Sequence, residues 1–157
     1  MSEPLRLTFP VACPPAHAFQ VWTARIAAWW PADHTVSGSA EATVVLEAGV
    51  GGRIYERVPD GSEHLWGEVT VWEPPHRLGY RWHLGQPASQ ATDVEVRFDP
   101  LGASQTLVAI VHTGFDQLGS SSATARARNA AGWQGLLPHF TAAAVGADAS
   151  GPDREAQ

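Results

Sequence analysis

The sequence predicts an α+β domain in which a curved antiparallel sheet of about six to seven strands wraps around one long C-terminal helix, with two short helices after the first strand. Short runs alternating apolar and polar residues recur from Leu5 to His112, each bounded by glycine, proline or aspartate, as half-buried strands do. After Gly114 the apolar spacing changes to three and four, the period of a helix. Seven tryptophans stand among 157 residues, and rings at that density suit a cavity wall as well as a filled core.

Leu5, Leu7, Phe9 and Val11 alternate with Arg6, Thr8 and Pro10 and form the first strand. Pro14 and Pro15 sit where the first amides of a helix lack partners, and Phe19, Trp22 and Ile26 follow at helical spacing. The second short helix should end at Trp29-Trp30, because the residue before Pro31 is pushed out of helical geometry. Ala42, Val44 and Leu46 form the next strand. Gly49, Gly51 and Gly52 make a hairpin turn with positive backbone angles, and Arg53-Ile54-Tyr55-Glu56 returns from it.

Leu65, Gly67, Val69 and Val71 are expected on one face of the following strand, and Trp66, Glu68, Thr70 and Trp72 on the other. Pro74-Pro75 turns the chain into Leu78, Tyr80 and Trp82. Val94, Val96 and Phe98 then pair with Val108, Ile110 and His112 through a hairpin connection at Asp99-Pro100-Leu101-Gly102. Ser120-Ser121-Ser122 offers the cap of the last helix, whose stripe of Arg126, Ala130, Trp133, Leu137, Phe140 and Ala144 should face the sheet. Pro138, with Gly132 and Gly135 nearby, predicts a kink. Residues 1–145 therefore read as one domain, and residues 146–157, without apolar period, as a disordered tail.

Composition removes several function classes. Acidic residues outnumber basic ones by 16 to 10, and the basic ones are scattered arginines, which disfavours nucleic acid as a partner. Lysine is absent, so neither a Schiff base nor a phosphate-loop lysine can form, and Gly49-Val50-Gly51-Gly52 reads as a turn. The seven histidines show no His-x-His or His-x-x-x-His spacing, so no metal site or cofactor is expected. Cys13 and His17 are four apart, but the prolines put Cys13 at a helix entrance, where a lone cysteine behaves as a small hydrophobe. The opening Met-Ser-Glu-Pro-Leu-Arg leads into no apolar run, and no stretch approaches the roughly 20 residues needed to span a bilayer. A cytoplasmic protein with no membrane partner is expected.

A further ordered set of residues runs through the chain: Trp29-Trp30, Gly51-Gly52-Arg53 with Glu56, Asp60-Gly61, Trp66-Gly67-Glu68-Val69, Glu73-Pro74-Pro75-His76-Arg77-Leu78 with Trp82, His112-Thr113-Gly114-Phe115 and Gly132-Trp133. Over residues 5–145 this set resembles the helix-grip fold of the START and Bet v-type superfamily, within it the branch named after the activator of heat-shock protein 90 ATPase. The resemblance implies binding of a small apolar or aromatic ligand in a cavity between sheet and C-terminal helix. Two alternatives stay open: a polyketide cyclase/dehydratase-like enzyme using a cavity His or Glu as acid or base, and a co-chaperone or protein-interaction module. The activators proper carry an asparagine-rich segment with Trp-His-Trp. Here Trp82-His83 is followed by Leu84, which weighs against ATPase activation.

Trp30, Tyr80, Trp82, Phe98, Trp133, Leu137 and Phe140 are the expected apolar ligand contacts. If sheet curvature holds the helix off, they line a pocket of roughly 300 to 1,000 Å³; otherwise they fill the core. His112 continues the apolar parity of Val108 and Ile110, so it meets either a ligand or a backbone carbonyl. Glu56 shares parity with Ile54 and either points inward to a partner or is turned to solvent by a bulge. No residue is assigned a catalytic role. A small hydrophobic molecule is the expected partner, with a homodimer left open.

Overall fold

A computed structural model describes residues 4–83 and 91–150. The first strand, β1 (Leu5–Val11), leads into α1 (Pro15–Trp22) and single helical turns at Ile26–Ala28 and Ala32–His34. Then come β2 (Thr43–Leu46), β3 (Arg53–Arg57), β4 (Glu63–Glu73), β5 (Arg77–Trp82), β6 (Thr92–Gly102) and β7 (Gln105–Thr113). A helical turn at Phe115–Ser121 precedes α2 (Ser122–Ser150). The seven strands form one antiparallel sheet in the order β1-β7-β6-β5-β4-β3-β2, curled around α2 in a helix-grip arrangement. Among the described residues no helix is long and apolar enough to cross a membrane.

Parity places the core where alternation is unbroken. On β6 and β7 the inward residues Val94, Val96, Phe98, Val108, Ile110 and His112 are all buried, and the β1 register sets Phe9 against Val108. The rings of Phe9 and Phe140 meet edge to face at 6.2 Å. From α1, Trp22 fills the centre, 4.8 Å from the Phe140 ring and 6.1 Å from Phe98. Burying these rings supplies the main drive for folding, about 25 cal/mol per Å² of apolar surface removed from water.

On β4 the expected alternation fails. Leu65 is 50% exposed whereas Trp66 is fully buried, because the pairing with β3 shifts between Ile54 and Tyr55, whose partners are Gly67 and Leu65. Trp66 is the extra residue of that bulge and turns inward. A second shift against β5, between Val69 and Val71, changes the parity again, so Trp72 reaches Phe19 at 5.1 Å. Two bulges thus turn Trp66 and Trp72 toward the core beside Val69, which keeps its expected inward place, and send Leu65 to the surface. At Gly67 an added Cβ would lie 1.9 Å from the Arg81 carbonyl oxygen, so the position excludes any side chain.

Three further expectations change. The hairpin connection lies at Ala103-Ser104, because β6 continues through Asp99-Pro100-Leu101-Gly102 with a register shift between Pro100 and Gly102. On α2 the buried line is Ala125, Trp133, Leu136, Phe140 and Ala144, with Leu137 only half-buried. The helix also runs on through Ser150, past the expected start of a tail at residue 146, and residues 151–157 lie outside the described ones. Pro138 falls inside this single helix. Gly49 and Gly51 have φ of 89° and 90°, the left-handed values a tight connection from β2 to β3 needs.

Candidate functional site

Under the N-terminal half of α2 the sheet and helix separate, leaving a cavity of about 340 Å³. Its indole walls come from three places in the chain: Trp30 before the Ala32–His34 turn, Trp82 at the end of β5 and Trp133 on α2. His83, Thr92, Leu118 and Leu136 also line it, and Asp33, His34, Thr35, Arg128 and Asn129 complete the lining. The rings of Trp30 and Trp82 are 5.8 Å apart, and Trp66 lies behind both, 5.1 Å from Trp30 and 5.8 Å from Trp82.

Of the nine side chains expected at a ligand, three meet on this cavity: Trp30, Trp82 and Trp133. Tyr80, Phe98 and Phe140 are buried in the packed part of the core, and Leu137 packs half-buried against it. The two alternatives for the space between sheet and helix are therefore realised at opposite ends. Near Phe98 and Phe140 it is filled; near Trp82 and Trp133 it is open.

Glu56 and His112 are both fully buried, and neither lines the cavity. Glu56 Oε1 accepts the amide of Val36 at 2.6 Å and the indole Nε1–H of Trp66 at 2.8 Å, while Oε2 accepts the amide of Ser37 at 3.0 Å. Desolvation alone would raise its pKa, but the hydrogen bonds from Ser37, Val36 and Trp66 outweigh it and hold the carboxyl below the ordinary glutamate value. The carboxylate thus clamps the 35–37 segment over the sheet and fixes the indole behind Trp30 and Trp82. The Trp30 Nε1–H, donated to the His34 carbonyl at 3.0 Å, braces the same rim.

His112 plays the corresponding part on the other wall. The Trp133 Nε1–H donates to His112 Nδ1 at 3.1 Å, so Nδ1 carries no proton and Nε2–H donates to Thr92 Oγ1 at 2.6 Å. The Thr92 hydroxyl in turn donates to the Trp82 carbonyl at 3.3 Å. Burial lowers the histidine pKa to about 4, so the ring is neutral at physiological pH. Both ring nitrogens are committed, and His112 acts by orienting Trp133 and Thr92.

Thr92 and Arg128 were within reach of sequence reasoning. Thr92 shares parity with Val94 and Val96, and Arg128 stands on the helical line joining Ala125, Gly132 and Leu136. His34, Thr35, His83 and Leu118 lie outside the regular strands and α2, where no periodicity marks them.

Residues 12–144 match the sequence profile of the family described as activator of Hsp90 ATPase homolog 1-like protein. Among solved structures the chain is similar to an anthrahydroquino-gamma-pyrone synthase, Txn09, complexed with SUM. That likeness has 34% identity over 78% of this chain and 84% of the other, with a TM-score of 0.58. Protein MLL2253 from Mesorhizobium loti is 17% identical over 88% of this chain and 94% of its own, with a TM-score of 0.65. An HSP90 activator from Plasmodium falciparum is 19% identical over 92% and 97%, with a TM-score of 0.62. These last two likenesses concern the fold alone. No curated protein matches the chain.

Proposed function

The chain belongs to the activator of Hsp90 ATPase homolog 1-like family, and on that footing we propose that it binds a flat aromatic small molecule in the cavity beneath α2. One observation carries the reading: indoles from three separated stretches, Trp30, Trp82 and Trp133, meet on a single cavity of about 340 Å³. That volume is in the range of small-molecule sites, and π faces favour a planar guest over an aliphatic one. The polar groups behind the walls support it, since Glu56 and His112 each fix an indole whose hydrogen bond would otherwise be lost on burial. The synthase relative, named for a polycyclic aromatic product, points the same way.

Tryptophan fluorescence tests the reading directly. Anthracenemethanol titrated into the protein should quench emission saturably, and Trp133→Leu should weaken binding by about tenfold, the weight of one buried aromatic anchor. Unsaturable, weak quenching in the unaltered protein would refute it.

A second reading, an acid/base enzyme of the cyclase kind, has one observation in its favour: His34 and His83 both line the cavity. Its proton carriers would be these two residues, because the nitrogens of His112 and the oxygens of Glu56 are engaged. Turnover unaffected by His34→Ala and His83→Ala together would dispose of it.

A further inference from the structure

Two charged side chains of opposite sign, besides the histidines, line the cavity, and they are differently placed. Asp33 is tied to its neighbour, with Oδ1 2.8 Å from His34 Nδ1. Arg128 enters no ion pair among the described residues. Arg53 is matched with Glu47, Arg57 with Glu63, and Arg77 with Glu95, and Arg6, Arg25 and Arg81, which like Arg128 enter no ion pair among the described residues, do not line the cavity. Arg126, two residues before Arg128, donates to the Pro4 carbonyl at 3.3 Å.

Arg128 sits in the second turn of α2, on the side of the helix that lines the cavity. In a chain of net charge −6 it is an isolated positive centre at the edge of an aromatic cavity. A guanidinium meets a carboxylate through two parallel hydrogen bonds, a geometry a point charge does not share.

We propose that the cavity selects flat aromatic acids, with the rings between the indoles and a carboxylate on Arg128. This rests on the aromatic-binding reading above and adds the charge. The test compares two probes of nearly equal shape, anthracenecarboxylate and anthracenemethanol, by tryptophan quenching in the unaltered protein, Arg128→Gln and Arg128→Lys. The acid should bind more tightly than the alcohol. That preference should fall about tenfold in Arg128→Gln, the weight of one charge-assisted contact, and return in part in Arg128→Lys, which separates lost charge from a damaged helix. Equal affinity for the two probes, or a preference untouched in Arg128→Gln, overturns the proposal and leaves the aromatic site standing. Failure of both probes to bind the unaltered protein overturns the two together.

Discussion

Glu56→Gln isolates the clamp that shapes the cavity rim. The carboxylate accepts three hydrogen bonds through two oxygens, and the residue is fully buried. A glutamine keeps the shape but offers one oxygen. With that oxygen on Val36 and Trp66, its amide group faces the Ser37 N–H, donor against donor. Two bonds then lose the charge on their acceptor, at about 1 kcal/mol each, and the amide of the exposed Ser37 exchanges its acceptor for water, at about 0.5 to 1.5 kcal/mol. The total is about 2.5 to 3.5 kcal/mol, which in a domain of this size lowers the melting temperature by about 5 to 14 °C. Urea unfolding at neutral pH measures it. The pH dependence gives a second check. Because the folded carboxyl titrates below its ordinary value of 4.5, the clamp's ionic contribution is fully present above that value and disappears as pH falls through the folded pKa. The difference between the two proteins should therefore shrink in acid. A loss below about 1 kcal/mol at neutral pH would mean that Glu56 is not carrying those three donors.

His112 makes the opposite demand on protons. Its pKa falls from 6.5 to about 4 on burial, so the unfolded chain takes up the proton first, and stability is lost as pH drops from about 6.5 toward 4. A displacement of that size is worth about 3 kcal/mol, and His112→Gln should flatten the stability profile across this window; an unchanged slope would place the titration elsewhere. Gly67→Ala drives a Cβ against the Arg81 carbonyl and should cost about 3 kcal/mol or more by circular-dichroism melting. Gly132→Ala, with nothing within 4 Å of the added Cβ, should instead raise helix stability by about 0.5 to 1 kcal/mol. A melting point for Gly67→Ala equal to that of the unaltered protein would refute the close approach of β4 to β5.

Legibility in the sequence followed the strength of local rules. On β1, β6 and β7 alternation runs unbroken, and the inward faces follow from parity, His112 included. On β4 the same rule misplaces Trp66 and Leu65, since a bulge is set by pairing with a neighbour strand and leaves no mark in the strand's own residues. The parity of Glu56 with Ile54 leaves open whether it points inward or to solvent, and its partners carry no mark in the sequence. Val36 and Ser37 lie 20 and 19 residues away along the chain, and their amides carry no side-chain signature. The cavity itself shows the same division. Trp30, Trp82 and Trp133 stand out by residue type, whereas their separation from Phe98 and Phe140 depends on where the sheet parts from the helix.

The sequence by itself determined the order of strands and helices, the grip of a sheet on a terminal helix, and an interior rich in indoles, because these follow from apolar period, turn residues and composition. Only the tertiary structure decided which rings pack against one another and which face open space. It also gave the buried Glu56 and His112 their partners, the indole N–H groups of Trp66 and Trp133. The reason is physical: curvature, bulges and buried hydrogen bonds arise between segments distant in the chain, and side chains alike in type take different roles according to the neighbours those segments supply.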